Sequence, residues 1–330
     1  YTITYCFSQT LDDAIKGPIP GMTYTPDVGK FNINTISSFT SIESTFDDNG
    51  DEIPLSEQIN FTMDGGASYN PIFGIAYPKI LKNVITISGL YTLTEKWGLS
   101  VEIPIITKQE LNLNVSTGYE EWFDNEISSR SSYSGQTGIS DISIGGWYQI
   151  SNSQDIRTLA AASYTLSTGT SPDDMGESNY SSTGRGYTSI NFGIITDYYK
   201  APYILVSANG YYKINQKGEF SSDGISREEK HANQIGFNGR VSILEHPQRS
   251  LAMDIGYLSA GTSKLNGETI DNSDYNHSYI MPTVGYQLTI GSTKVNIIGK
   301  FLLSISGKNW TENWSNGKQR SFIIVSGIYF

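Results

Sequence analysis

The feature of this sequence that most constrains its fold is a series of alternating runs. From about residue 82 onward, runs of roughly 10 to 14 residues carry apolar side chains at every second position, the length that a tilted strand needs to cross a bilayer. In one such run Val295, Ile297 and Phe301 alternate with Lys294 and Lys300. Because successive side chains of a strand point to opposite faces, each run has one continuous apolar face.

The connectors between these runs alternate between short and long. Short connectors fall near residues 94–97, 151–154, 199–202, 245–248 and 291–292, whereas long polar connectors occupy about 47–80, 109–137, 169–186, 217–232, 263–277 and 308–319. Outer-membrane barrels have this asymmetry, with tight periplasmic turns at one rim and longer external loops at the other. A soluble antiparallel sheet also alternates, so the order of the connectors is the more discriminating feature.

Counting the runs gives an even number of strands with both chain ends on the short-turn side. The sequence therefore predicts an all-β fold, a transmembrane antiparallel up-and-down β-barrel of about 12 strands with short periplasmic turns and long external loops. The predicted strands lie near residues 28–46, 82–94, 97–108, 138–150, 157–168, 187–198, 202–216, 233–245, 249–262, 278–290, 293–307 and 319–330.

Residues 28–330 form the predicted barrel, and residues 1–27 form an N-terminal arm. Two interpretations of residues 1–9 stay open, the tail of an export signal or the start of the mature arm. Within the long connector before the second strand, the apolar stretch Gly65–Pro78 suggests either a constriction folded over the mouth or a loop packed on the rim.

Composition and charge exclude several classes. The mean hydropathy is −0.29 and no window approaches the roughly 18 apolar residues of a membrane-spanning helix, which excludes a helical membrane protein. A net charge of −11 argues against a nucleic-acid partner. The single cysteine, Cys6, excludes an intramolecular disulfide framework.

The end of the sequence carries an assembly motif. The segment Ser321–Phe330 resembles the C-terminal signal by which outer-membrane proteins reach the barrel-assembly machinery, with a terminal aromatic pair and apolar residues at alternate positions. The residues assigned to this signal are Phe322, Ile324, Ile328, Tyr329 and Phe330.

Three stretches resemble one known family. Gly138–Gly145, with its G-x-x-D-I-x-I-G pattern, and Ala161–Gly169 resemble two consecutive strands of the outer-membrane family known as MetA-pathway of phenol degradation, and Leu90–Pro104 is similar to its preceding hairpin. Ser167 stands where the family has proline. The resemblance implies a transporter or porin-like barrel associated with uptake of small, in part aromatic, molecules.

No residue pattern indicates chemistry. His231, His246 and His277 fall on loops or loop edges at opposite ends of the predicted barrel, so they cannot share one metal or catalytic triad. The acidic run Phe46–Glu52 lacks the spacing of an EF-hand loop and is interpreted as a solvated loop tip. The sequence predicts no enzyme activity, no catalytic residue, no metal and no cofactor.

The alternation also assigns the side chains that face the barrel interior. Both signs of charge occur among them, which suits either a closed polar plug or a constriction that selects small polar solutes. The leading hypothesis is a channel of the bacterial outer membrane for diffusion of small molecules, with a non-conducting barrel subunit of an outer-membrane complex as the alternative and a secreted β-sandwich adhesin as a third. Expected partners are outer-membrane lipid, lipopolysaccharide, the assembly machinery and other outer-membrane proteins. The predicted pore-lining residues are Glu102, Asp141, Gln149, Asn191, Asp197, Asn209, Lys213, Asn238, Arg240, Asp254, Lys294, Asn296 and Lys300.

Overall fold

The computed structural model describes residues 10–47, 49–54, 60–64, 71–116, 132–174, 181–200, 203–222, 225–271, 273–290, 293–308 and 319–329. In this part of the chain, no helix is long and apolar enough to cross a membrane. The elements are helix α1 (Leu11–Ile15), a single 3-10 turn (Pro172–Asp174), and strands β1 (Phe31–Ile42), β2 (Ser44–Phe46), β3 (Glu52–Pro54), β4 (Asn60–Asp64), β5 (Pro71–Thr92), β6 (Trp97–Ser116), β7 (Ser132–Ser134), β8 (Gly138–Ile139), β9 (Ser143–Asn152), β10 (Ile156–Thr165), β11 (Ser189–Lys200), β12 (Ile204–Asn215), β13 (Lys217–Ser222), β14 (Ile225–Lys230), β15 (Gln234–His246), β16 (Arg249–Ala260), β17 (Lys264–Leu265), β18 (Glu268–Thr269), β19 (Tyr275–Ile290), β20 (Thr293–Lys308) and β21 (Gln319–Tyr329).

Twelve long strands close into one antiparallel barrel. Their order around the wall is β1, β5, β6, β9, β10, β11, β12, β15, β16, β19, β20 and β21, and pairing of β21 with β1 completes the ring. All twelve predicted strands are present, and the predicted fold is confirmed. The start of β1 and the end of β21 lie at the rim of the short turns, which is called the turn rim below; the opposite end is the loop rim.

Several predicted loops are shorter than the sequence suggested. Strand β5 begins at Pro71, so the half of the apolar stretch that ends at Pro78 belongs to the barrel wall, paired with β4 and β6. This placement does not support a constriction folded over the mouth for that half, and residues 65–70 lie outside the described residues. Beyond the loop rim, β13, β14, β17 and β18 form a separate four-stranded sheet.

The barrel wall has an apolar outer face. Ile255 is 52% exposed and Phe322 is 48% exposed, although each lies in the middle of a strand. Apolar side chains this exposed on consecutive strands are typical of a surface that lipid covers. Of the residues assigned to the assembly signal, Phe322, Ile324 and Ile328 lie on this face, Tyr329 ends β21, and Phe330 lies outside the described residues.

Glycines on the inner face make room for aromatic rings from the neighbouring strand. A Cβ at Gly98 would collide with the indole of Trp147, and one at Gly236 would collide with the ring of Tyr211. Both pairs are directly opposed cross-strand partners in the ladder. Each ring therefore occupies the space directly over the glycine of the neighbouring strand.

Candidate functional site

The segment of residues 10–29, called the plug segment here, lies inside the barrel at the turn rim. Helix α1 within it packs Leu11, Ala14 and Ile15 against the wall residues Tyr199 and Leu205 in one buried apolar cluster. Ile15 and Leu205 have no exposed surface. The sequence predicts an N-terminal arm over residues 1–27 without giving its position, and in the structure residues 10–29 lie in this end of the lumen.

An ion pair ties α1 to the wall. Arg157 Nη2 lies 2.9 Å from Asp12 Oδ1, and the Arg157 side chain is only 8% exposed. Lys16 Nζ lies 2.9 Å from Asp12 Oδ2 and 2.8 Å from Asp27 Oδ1. Burial by itself raises the pKa of Asp12, but hydrogen bonds from Lys16 and Arg157 outweigh burial and hold the pKa below its ordinary value. Asp12 is therefore an anion at neutral pH.

A wall carboxylate binds the plug segment after Pro18 and Pro20. Asp197 accepts hydrogen bonds from the backbone N–H groups of Met22 and Thr23, at 3.1 and 2.8 Å, and from the Thr23 hydroxyl at 2.7 Å. Gly21 passes so close to Asp197 that a Cβ there would collide with the carboxylate. Glycine is therefore required at position 21 if the three hydrogen bonds are to form.

Side chains on β15, β19 and β20 hold the same segment through its carbonyl groups. Gln287 Nε2 donates to Lys16 O at 3.1 Å, and Asn296 Nδ2 donates to Gly17 O at 3.1 Å. Arg240 Nη1 donates to Pro20 O at 3.0 Å. Because strands on several sides of the ring bind it, the plug segment spans the lumen from wall to wall.

The loop rim holds a cavity of about 920 Å³. Its wall combines apolar side chains, including Ile42, Ile80 and Leu258, with charged groups, including Lys82 and Arg185. The strands reach this cavity at their loop ends, and residues 181–185 form another part of its lining. Pockets of roughly 300–1,000 Å³ are of the size that takes a small organic molecule.

Two aromatic rings stack in the cavity wall. Tyr187 and His231 have ring centroids 4.5 Å apart and an interplanar angle of 27°. Burial lowers the pKa of His231 in spite of the opposing carboxylate of Glu229, so this ring is neutral at pH 7. Burial likewise raises the pKa of the Tyr187 hydroxyl. The pair therefore presents an uncharged aromatic surface.

The ladder places twelve of the thirteen predicted pore-lining residues on the inner face of a strand. Asp197, Arg240 and Asn296 contact the plug segment. Whether any of them lines a conducting path stays a prediction. The other nine are Glu102, Gln149, Asn191, Asn209, Lys213, Asn238, Asp254, Lys294 and Lys300.

Asp141, the thirteenth residue, lies just before β9 and is buried at 7% exposure. Its carboxylate accepts hydrogen bonds from the backbone N–H groups of Gly169, at 3.1 Å, and Arg185, at 3.0 Å. It therefore fixes two loop segments at the loop rim. This is a positioning role for Asp141, in a motif that the sequence analysis singled out for the family resemblance.

Sequence reasoning missed four charged interior residues. Asp12, Lys82, Arg157 and Arg185 lie against the plug segment or the cavity. Lys82 and Arg157 are the first residues of their predicted strands. The alternation therefore had no preceding strand residue from which to infer the face on which each side chain lies. Asp12 and Arg185 lie in segments without alternating apolar and polar residues, so no pattern in the sequence could have assigned them to the barrel interior.

No catalytic or metal centre emerges from the described residues. Among them, no group of three or more His, Cys, Asp and Glu side chains could hold a metal ion. His277 belongs to β19 and not to a loop edge, and its Nε2 lies 2.7 Å from Ser304 Oγ. His246 ends β15 at the turn rim, and His231 lies at the loop rim.

Comparison with known proteins identifies relatives of the same architecture. Residues 80–322 match the family model described as Putative MetA-pathway of phenol degradation. No curated protein matches the chain. Among solved structures, the COG4313 outer membrane channel from Pseudomonas putida F1 is 13% identical and superposes with a TM-score of 0.64, covering 94% of this chain and 98% of the channel.

Two further solved barrels superpose less well. The translocator domain of the autotransporter NalP from Neisseria meningitidis is 9% identical with a TM-score of 0.48, covering 92% of this chain and 89% of the domain. The NanC porin is 9% identical with a TM-score of 0.44, covering 90% of this chain and 98% of the porin. At these identities the likeness concerns the fold, and the first of the three structures shows that fold for 94% of this chain.

Proposed function

Since this chain belongs to the Putative MetA-pathway of phenol degradation family, we propose that it is a channel of the bacterial outer membrane through which small molecules diffuse. The observation that carries the proposal is the cavity of about 920 Å³ at the loop rim of a closed barrel. In this proposal a solute enters the cavity from the loop side of the barrel, without crossing lipid. The apolar outer face supports the outer membrane as the location.

The cavity wall favours small aromatic or hydrophobic compounds as solutes. Ile42 and Ile80 are 2% and 3% exposed and pack together as one apolar patch at the loop rim. Phe220 and the stacked Tyr187 and His231 rings lie in the same lining. Flat apolar molecules gain both area burial and ring contacts from such a wall.

The plug segment supports the alternative function, a non-conducting barrel subunit of an outer-membrane complex. It occupies the turn rim, where it donates hydrogen bonds to Asp197 and accepts them from Gln287, Asn296 and Arg240. For a channel, this segment has to shift or leave a passage beside it. For a scaffold, it stays in place.

Single-channel recording with cysteine labelling separates the two functions. In a Cys6→Ser background, Gln234→Cys places a thiol in the cavity lining, and Ile235→Cys places one on the apolar outer face of the same strand. We expect discrete conductance steps that a charged, water-soluble thiol reagent reduces in Gln234→Cys and leaves unchanged in Ile235→Cys. Heat-dependent gel mobility in SDS verifies that each protein is a folded barrel.

Absence of conductance from heat-modifiable, folded protein would contradict the channel and favour the scaffold. Conductance that responds equally to both labels would contradict a path through the loop-rim cavity. The partners expected from the sequence, namely outer-membrane lipid, lipopolysaccharide, the assembly machinery and other outer-membrane proteins, belong to this proposal and are tested by co-purification from native membranes.

A further inference from the structure

Three cationic side chains gather at the loop-rim cavity. Lys82 on β5 and Arg185 in the loop before β11 line it, and Lys213 on the inner face of β12 lies close enough for Arg185 to repel it. Arg185 repels Lys82 as well. Within the residues that the structure describes, none of the three forms an ion pair, although ten ion pairs occur there.

The nearby carboxylates, Asp141 and Glu229, bind other partners. Asp141 attracts Lys213, but both of its oxygens accept backbone N–H groups, at 3.1 and 3.0 Å. Glu229, in the cavity lining, lies 3.2 Å from Arg227 and 3.8 Å from His231. The described lining of the cavity therefore holds three cations, Lys82, Arg185 and Arg227, against the carboxylate of Glu229, in a chain whose net charge is −11. Like charges held together in a partly enclosed space favour binding of an anion.

The other residues that line the cavity indicate the chemistry of the uncharged part of that anion. Leu258, which is partly exposed, supplies an apolar side, and the stacked Tyr187 and His231 rings supply an aromatic one. An inorganic anion would use only the cations, whereas a molecule with a ring and one carboxylate would use both sides. The apolar wall thus favours an organic anion over chloride or phosphate.

We infer that the loop-rim cavity binds a small aromatic monocarboxylate, its carboxylate held by Lys82, Arg185 and Lys213. This inference rests on the proposed function, because it names the solute class of the same channel. Arg185 offers two parallel N–H donors to a carboxylate, a geometry that a lysine cannot supply. The lysines then act as point charges on either side of it.

Benzoate and benzyl alcohol test the inference, because they share a ring and differ in the charge. Titration calorimetry on the full chain folded in detergent should give a dissociation constant at least tenfold lower for benzoate. Arg185→Gln and Lys213→Met should each remove most of this preference and leave benzyl alcohol unchanged. Lys264→Met is the matched control, since Lys264 is exposed on β17 outside the lining, and it should keep the preference.

Equal affinity for the two probes in the wild-type protein would overturn the inference, as would retention of the preference in both Arg185→Gln and Lys213→Met. Displacement of benzoate by an equal concentration of chloride would overturn the aromatic part, because it would show a site for any anion. Conductance in potassium chloride alone is measured separately. A barrel that conducts but does not prefer benzoate would contradict only this inference. A barrel that binds benzoate but does not conduct would contradict the proposed channel function.

Discussion

Asp12 and Arg157 are joined across 145 positions of sequence, with Asp12 Oδ1 and Arg157 Nη2 2.9 Å apart. One residue lies on the plug segment and the other on the inner face of β10. The pair therefore couples the position of the plug segment to the barrel wall. It is the charged contact by which a mutation can loosen the plug segment without touching the loop-rim cavity.

Asp12→Asn should increase the conductance of the barrel. The amide keeps the size of the side chain but removes its charge. Because the Asp12 side chain is 49% exposed, solvent screening limits the contribution of the pair to about 1 kcal/mol. A loss of that size shifts the equilibrium between seated and displaced plug segment by up to about fivefold. Single-channel recording measures the open fraction, with Asp13→Asn on the same helix as the control.

An unchanged open fraction in Asp12→Asn would mean that the plug segment does not regulate conduction. The control is informative because, among the described residues, the Asp13 side chain bonds to Thr10 of the helix cap and not to the barrel wall.

The conductance should be insensitive to pH until strongly acidic values. Because its pKa lies below the ordinary 3.8, Asp12 stays charged at neutral and mildly acidic pH. An acidic group whose pKa is lowered by folding contributes its full stabilisation when the pH is above its ordinary pKa. It loses this stabilisation as the pH falls through the lowered pKa. The open fraction should thus be flat from pH 7 to about pH 5 and rise only below about pH 4. An increase already at pH 6 would assign the response to another group.

Gly98→Ala should destabilise the barrel. The added methyl group collides with the indole of Trp147, which lies flat across Gly98 on the neighbouring strand. Overpacking of this kind costs about 1–3 kcal/mol. The free energy of unfolding in lipid vesicles, followed by tryptophan fluorescence in urea, measures the loss. Gly210→Ala is the control, because nothing lies within 4 Å of a Cβ at Gly210, and equal losses in both variants would refute the packing argument.

The alternation in the sequence predicted the wall because strand period depends only on local geometry. Asn296 and Arg240 could be placed on the inner face in this way, each flanked by apolar outward neighbours. The plug segment could not be predicted, because residues 10–29 carry no period and their partners, such as Asp197, lie more than 170 positions away. The extension of β5 to Pro71 was missed because Pro71 and Pro78 are prolines, which are typical of loops and rare inside strands.

The pair of Arg240 and Asp254 should show strong coupling in a double-mutant cycle. Arg240 Nε lies 2.7 Å from Asp254 Oδ1, and the two side chains are 10% and 4% exposed. Removing one partner leaves a buried charge alone and costs about 3–5 kcal/mol, whereas replacing both with apolar residues costs much less. We therefore expect Arg240→Met and Asp254→Leu each to lower the free energy of unfolding by more than the double variant does. Urea unfolding in lipid vesicles measures these free energies. Additive losses would mean that each charge is stabilised without the other, Asp254 by the Thr283 hydroxyl 3.1 Å from its Oδ2 and Arg240 by the Pro20 carbonyl.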